Sequence, residues 1–336
     1  MGYGRPKPSS ASGLEAEESR MISRRSFITR AVAAGAASLG AGLLYRDIAA
    51  STISGSITLE QRTVSFPNLP ESFHGYKIGF LTDIHLGLFL PPSWIEEALT
   101  ILQEQQPDIL VLGGDYILLE DNPLWSLVGL VRNTSYLSMS SKATAAAIYR
   151  EVSDIVSRYS FRDGTLAVAG NHDHWNYSPL FQQIFSEAPA IQLLINREVS
   201  VTKGGDTISF YGADDFLTGT PTDLPPRQSS GPNAAVRVLI SHNPDYVSAL
   251  LRDSAAHFDL ALCGHTHGGQ IRVPGLGPLA VQIRDPRFSA GLVATGNPSQ
   301  YVYTSRGLGT VGVPFRVSCP PEVTVLTLSK GRAGST

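Results

Sequence analysis

Five short motifs in this chain set side chains of metal-binding chemistry beside glycine or directly after an apolar stretch. They are Asp83-Ile84-His85, Gly113-Gly114-Asp115, Gly170-Asn171-His172-Asp173, Ser241-His242 and Gly264-His265-Thr266-His267. Asp83 and His85 stand two residues apart, as do His265 and His267. In extended backbone, residues i and i+2 share a face, so each pair can reach one point. The candidate metal ligands are Asp83, His85, Asp115, Asn171, His242, His265 and His267: two carboxylates, one amide oxygen and four imidazoles. This mixed set suits Mn, Fe, Zn or a similar divalent ion better than calcium or a thiolate-seeking metal. Seven ligands are too many for one tetrahedral ion and suit two adjacent ions that share a carboxylate. A lone Asp-x-His or Gly-Asp is common in any protein, so the ordered set carries the inference. Six of the eight histidines (85, 172, 174, 242, 265, 267) fall in or beside the motifs. The other two, His74 and His257, read as solvent-facing or capping residues.

The elements that must position these groups are short apolar strands. Residues 55–66 alternate apolar and polar positions like a strand. Residues 76–81 form a more buried strand that ends at Thr82-Asp83. Pro91 and Pro92 open a helix running to about Gln105, with Trp94, Ile95, Ala98, Leu99 and Leu102 on one face. Residues 108–112 lead into Gly113, and 165–169 lead into Gly170. Later strands are expected at 207–211, 236–241, 259–263, 301–304 and 323–328. Open α/β sheets bind ligands at the carboxyl ends of their strands. Here five strand ends carry Asp, His or Asn, and glycine beside them lets the backbone turn sharply.

Composition narrows the class. The chain has 336 residues, enough for two domains or one large α/β domain. With 42% hydrophobic and 16% charged residues, it is not a disordered chain. The net charge of −3 argues against a nucleic-acid binder. Only Cys263 and Cys319 are present, which excludes cysteine-built zinc sites. They could pair in an oxidising compartment. The place of Cys263 inside an apolar strand favours two buried free thiols.

The charge is unevenly spread. Residues 1–46 carry seven basic and three acidic groups, so the remainder carries −7. Within this basic head, Arg24-Arg25-Ser26-Phe27 precedes an uncharged run, Ala31 to Tyr45. As a helix the run would span about 22 Å, short of a ~30 Å hydrocarbon core. It reads as a signal h-region, and the arginine pair resembles a twin-arginine (Tat) signal. No clean cleavage site follows, so an uncleaved membrane anchor is the other expectation. Met21 would begin a more typical signal. The expected organisation is a signal or anchor at 1–50, a linker and first strand at 51–75, and a catalytic domain at 76–330.

The order Asp-x-His, Gly-Asp, Gly-Asn-His-Asp, His, Gly-His-x-His resembles the calcineurin-like metallophosphoesterase superfamily over residues 76–330. Gly268-Gly269-Gln270, Ser305-Arg306-Gly307 and Cys319-Pro320-Pro321-Glu322 are similar to a branch of membrane-associated, often Tat-exported phosphodiesterases. Its relatives include UDP-2,3-diacylglucosamine pyrophosphatases of lipid A synthesis. The resemblance implies a four-layer α/β/β/α sandwich of two mixed sheets flanked by helices. It implies that Asp83, His85 and His267 hold one divalent ion, that Asn171, His242 and His265 hold a second, and that Asp115 bridges them. His172 would serve the leaving group as general acid, and Asp173 would orient it. A hydroxide between the two ions would attack a phosphodiester or pyrophosphate. Implied partners are such a substrate, on a lipid or in the cell envelope, the Tat translocase and a membrane surface.

Two departures stand out. No second acidic residue closely follows Asp115, although Glu120 and Asp121 lie near. The stretch from Asp115 to Asn171 is long. It holds an Ala-rich helix near 143–157 and reads as a crossover helix with a long loop, or as a lid or lipid-contacting element around 124–142. Two other functions compete with the leading one. UDP-2,3-diacylglucosamine hydrolysis would suit a cytoplasm-facing anchor. A noncatalytic scaffold would be expected to have lost ligands, and here none is missing.

Overall fold

Period-two alternation sorts the strand side chains into separate layers. In residues 109–112, Ile109 and Val111 join one core, while Leu110 and Leu112 join another. In residues 260–263, Leu260 and Leu262 face the first of these cores, while Ala261 and Cys263 face a third. Alternation with apolar residues on both faces means that each sheet is covered on both sides. The computed structural model describes residues 56–331 except 88, 120–140, 226–234, 254–256, 274 and 298. These residues belong to one compact unit, Arg46–Thr336. The expected signal or anchor and most of the 124–142 segment lie outside the described residues.

The order is β1 (Thr58–Phe66), β2 (Lys77–Leu81), β3 (Leu86–Gly87), α1 (Pro92–Glu104), β4 (Ile109–Leu112), β5 (Ile117–Leu118), α2 (Ser141–Ser157), β6 (Thr165–Ala167), α3 (Asn171–Trp175), α4 (Ser178–Glu187) and β7 (Ile191–Leu193). Then come β8 (Arg197–Lys203), β9 (Asp206–Gly212), β10 (Arg237–Ile240), α5 (Pro244–Leu250), β11 (Leu260–Cys263), β12 (Arg272–Val273), β13 (Gly277–Pro278), β14 (Gly291–Ala294), β15 (Tyr301–Thr304) and β16 (Glu322–Lys330). One six-stranded sheet runs β1-β16-β2-β4-β6-β7, and a second runs β14-β15-β11-β10-β9-β8. The centre of each is parallel: β2, β4, β6 and β7 in one, and β15, β11, β10 and β9 in the other. Antiparallel pairs are β16–β2, β14–β15 and β8–β9.

The two sheets face each other across a core that includes Ile78, Phe80, Val111, Leu166, Phe210, Val238, Ile240 and Tyr303. Phe80 and Tyr303 meet edge to face with centroids 6.5 Å apart. Helices α1, α2 and α4 cover the outer face of the first sheet through residues such as Leu99, Ile148 and Phe185. Helix α5 covers the second through Tyr246, Val247 and Leu250. The architecture is therefore the expected four-layer α/β/β/α sandwich. The crossover helix expected at 143–157 is α2, whose Ala145, Ile148, Tyr149 and Val152 are buried in the first core. Among the described residues, no helix is long and apolar enough to cross a membrane. Cys263 and Cys319 are both buried and unpaired. His74 and His257 are exposed, as expected.

Candidate metal centre

The five motifs leave the carboxyl ends of β2, β4, β6, β10 and β11. Because the two sheets stack, these ends converge at one end of the sandwich. The turns there are tight enough to force unusual backbone. Asp83, His85, Asp115, His265 and His267 all have positive φ, between 49° and 69°. For a residue with a Cβ, that conformation costs about 1–2 kcal/mol. Five of the seven candidate ligands are thus held in strained backbone, the pattern of a site whose geometry is imposed for function. Glycine supplies the remaining room. A Cβ on Gly114 would lie 2.7 Å from Gly170 N, and a Cβ on Gly170 would strike the Asp115 carboxylate.

All seven candidate ligands are brought together. His85 Nε2 lies 3.1 Å from His267 Nε2 and 3.5 Å from Asp115 Oδ2. His267 Nε2 lies 3.5 Å from Asp83 Oδ1. On the other side of Asp115, His242 Nε2 is 3.1 Å from Asp115 Oδ2, and His265 Nδ1 is 2.8 Å from Asn171 Oδ1. Two groups, Asp83–His85–His267 and Asp115–His242–His265, each gather their donor atoms within 4.8 Å. A third, His85–Asp115–His172, does the same. His172 therefore sits beside the cluster, half-buried, with its ring 4.8 Å from that of His85 and 5.0 Å from that of Trp175.

The protonation pattern tests whether an ion fits. His242 Nδ1 lies 2.8 Å from Gly113 O, so this nitrogen donates. Its Nε2 then turns toward the carboxylates of Asp115 and Asp83, buried and with no aligned hydrogen-bond partner. Lone pairs converging on one buried point, with too few donors to satisfy them, fit a cation. The charges also show strain. Burial and then the Asp115 charge, outweighing His242, push Asp83 up to about 6. Burial opposes ionisation of Asp115, but His242 and His85 outweigh it and hold that carboxyl well below its ordinary value. His242 is raised because Asp115 and Asp83 overcome its burial. Burial, with neighbouring cationic charge adding to it, lowers His85 to about 3 and His265 to about 4, and His267 falls well below its ordinary value. These three imidazoles are uncharged, the form that binds metal, whereas His242 is held charged by the two carboxylates and would give up its Nε2 proton to an ion.

One expectation needs correction. Asp173 does not orient the His172 ring. Its carboxylate instead accepts the backbone N–H groups of Asp115 (2.8 Å), Tyr116 (3.0 Å) and Gly170 (2.8 Å). Those bonds point it into the β4 and β6 loops, where it clamps the two turns together. Burial, with the Asp115 charge adding, pushes its carboxyl up to about 8, against the pull of the amides.

Three supports lie outside the five motifs. Glu322, buried at the start of β16, accepts Arg306 N at 3.0 Å and is ion-paired with the Arg306 guanidinium, which also reaches Glu60 at 2.8 Å. This explains the Ser305-Arg306-Gly307 and Pro320-Pro321-Glu322 stretches: they join the two sheets and lay 307–309 on the first motif, with Leu308 N on Thr82 O and Gly309 N on Asp83 O. Arg316 is buried among the carbonyls of His267, Arg306, Gly307, Gly309 and Cys319, and lies 3.3 Å from His267 Nδ1. Asp214 lies just past β9 and bonds His174 at 2.8 Å. Following the 207–211 strand to its end would have exposed Asp214 and Asp215 as another acidic strand end.

A four-layer sandwich with an Asp, Asn and His cluster at its strand ends defines a metal-dependent phosphoester hydrolase. The chain belongs to the calcineurin-like phosphoesterase family, whose family model matches residues 76–269. It is 32% identical to the Escherichia coli protein named phosphodiesterase YaeI, over 92% of this chain and 100% of that one. It is 28% identical to an uncharacterized metallophosphoesterase of Bacillus subtilis, YkuE, over 92% of this chain and 98% of that one. Among solved structures, an NAD nucleotidase of Haemophilus influenzae aligns with a TM-score of 0.41 at 13% identity, over 69% of this chain and 50% of that one.

Proposed function

We propose that the protein hydrolyses phosphodiester or pyrophosphate bonds with two divalent ions, on a lipid or cell-envelope substrate outside the cytoplasm. The observation that carries the two-ion reading is the double convergence on Asp115: His85 on one side and His242 on the other, at 3.5 and 3.1 Å from the same oxygen. Asp83, His85 and His267 would hold one ion, and Asn171, His242 and His265 the other, with Asp115 shared. When bound, such ions supply Lewis acidity and lower the pKa of a water toward neutrality. Asp173, by clamping the Asp115 and Gly170 turns, keeps the shared carboxylate where both sides can use it. His172 stands at the open side of the cluster and donates a proton to the leaving oxygen. Trp175, 60% exposed beside His172, offers an apolar wall to that leaving group. The name of the Escherichia coli relative supports a diester as the bond cleaved.

The test is a substrate panel on metal-reconstituted protein with metal analysis alongside. A monoester, a diester and UDP-diacylglucosamine are compared. Diester turnover is expected, and preferential cleavage of the monoester would sink the proposal. Asp115→Asn should lose bound metal and turnover together with the fold retained. His172→Ala should keep its metal and lose about 10²-fold in turnover; full turnover in that variant would remove His172 from the mechanism. For export, a reporter fused after residue 50 should stay in the cytoplasm once Arg24 and Arg25 are both changed to Lys. Unchanged export would rule out the twin-arginine route.

A further inference from the structure

His174 belongs to neither proposed ligand set, yet it is firmly held. Its Nε2 lies 2.8 Å from Asp214 Oδ1, and the two side chains are only 13% and 7% exposed. His174 stands in α3, which follows β6 of the first sheet, and Asp214 follows β9 of the second. The bond therefore spans the two sheets beside the metal cluster.

Asp214 is a fixed acceptor. Its Oδ1 takes Asp215 N at 2.9 Å and its Oδ2 takes Thr220 N at 2.8 Å, while its own N–H donates to Asn196 Oδ1 at 3.1 Å. Gly219 packs on it so closely that a Cβ there would lie within 2.6 Å of both carboxylate oxygens. Helix α3, by contrast, has five residues and cannot hold its own shape. Its amino end is tied where His172 N donates to Asp115 Oδ1 at 2.8 Å. Its carboxyl end is tied where Asn176 Nδ2 donates to His172 O at 2.7 Å and Tyr149 Oη to Asn176 O at 3.0 Å. Among the described residues, the His172 ring itself makes no hydrogen bond. Its direction follows from the set of α3 and from the flanking rings of His85 and Trp175.

We propose that His174 and Asp214 are a positioning pair, a hydrogen bond between the sheets that sets α3 so that His172 faces the metal cluster. The catalytic consequence rests on the reading of His172 as proton donor; the fixing of α3 does not. The role expected of Asp173 thus passes to a different carboxylate, which acts through the histidine two residues on, His174, and not on the His172 ring.

The test uses full-length protein and three variants, His174→Ala, His174→Gln and Asp214→Asn. Glutamine keeps a side-chain donor for Asp214. In His174→Ala, kcat on a diester should fall about tenfold with KM and metal content unchanged, the scale of losing an outer-shell partner. In the metal-free chain, amide hydrogen exchange over 171–177 should accelerate by a similar factor. His174→Gln should restore most of both, and Asp214→Asn should fall between. Unchanged kcat and exchange in His174→Ala would overturn the proposal. So would a parallel loss of metal, which would place the pair under the ligands, or a glutamine variant no better than alanine. If His172→Ala keeps full turnover, the functional reading fails, and the exchange data alone then decide what the pair does.

Discussion

At Asp173, three backbone amides from two loops share one buried carboxylate. Nothing in the Gly-Asn-His-Asp motif distinguishes that use from orienting the histidine beside it, because backbone donors leave no mark in sequence. Asp173→Asn would replace one acceptor oxygen by an NH2 that faces an amide N–H. A buried donor left unpaired costs about 1–3 kcal/mol. The variant should melt several degrees lower by circular dichroism, and an unchanged melting temperature would remove the clamp from the account. The candidate ligands were legible for the opposite reason. Asp83, His85, Asp115, Asn171, His242, His265 and His267 are polar groups placed at or just past the end of an apolar strand, and a strand end needs none of them for packing. Arg316 was not legible, since its partners are carbonyls, which every residue has.

The elements do their positioning at their ends. β2, β4, β6, β10 and β11 supply rigid, doubly covered strands, and the loops after them bear the strain. That division depends on close backbone approach. Gly170→Ala would drive a Cβ into the Asp115 carboxylate, so the turn must move and that carboxylate with it. Metal binding by calorimetry should weaken by at least an order of magnitude, as expected when the geometry of a ligand shell is disturbed; unchanged affinity would mean that the loops yield freely. The Arg306–Glu322 pair works at the same scale, joining β16 of one sheet to the chain after β15 of the other. Removing one partner of a buried ion pair costs about 3–5 kcal/mol. Glu322→Ala should sit at the lower end of that range in urea unfolding, because Glu60 still faces Arg306. The central strands were legible from alternation and apolar content. The edge strands β7 and β8 were not: β8 reads Arg-Glu-Val-Ser-Val-Thr-Lys, only partly buried, and a half-solvated edge has little apolar signal.

For the molecule as a whole, the 290 residues after Arg46 carry a formal charge of −7, and the candidate site concentrates two carboxylates where an anionic substrate must enter. Divalent metal bound there would reverse the local sign of that field. It would also couple to folding, because the donor atoms come from both sheets and exist as a set only in the folded chain. A ligand at a hundred times its dissociation constant stabilises the folded state by about 2.7 kcal/mol. For a domain of this size that raises the melting temperature by roughly 5–10 °C. Chelator-treated protein should therefore melt lower, and Mn or Zn should restore the loss. His85, His265 and His267 stay uncharged in this range, but His242 is raised and Asp83 is pushed up to about 6, so protons compete with ions at these two groups and the rise on adding metal should shrink as pH falls from about 8 to about 6. Asp115→Asn should show little rise at either pH. A metal-dependent rise of equal size in wild type and Asp115→Asn would mean that the stabilising ion binds elsewhere, and the link between the fold's stability and this site would fail.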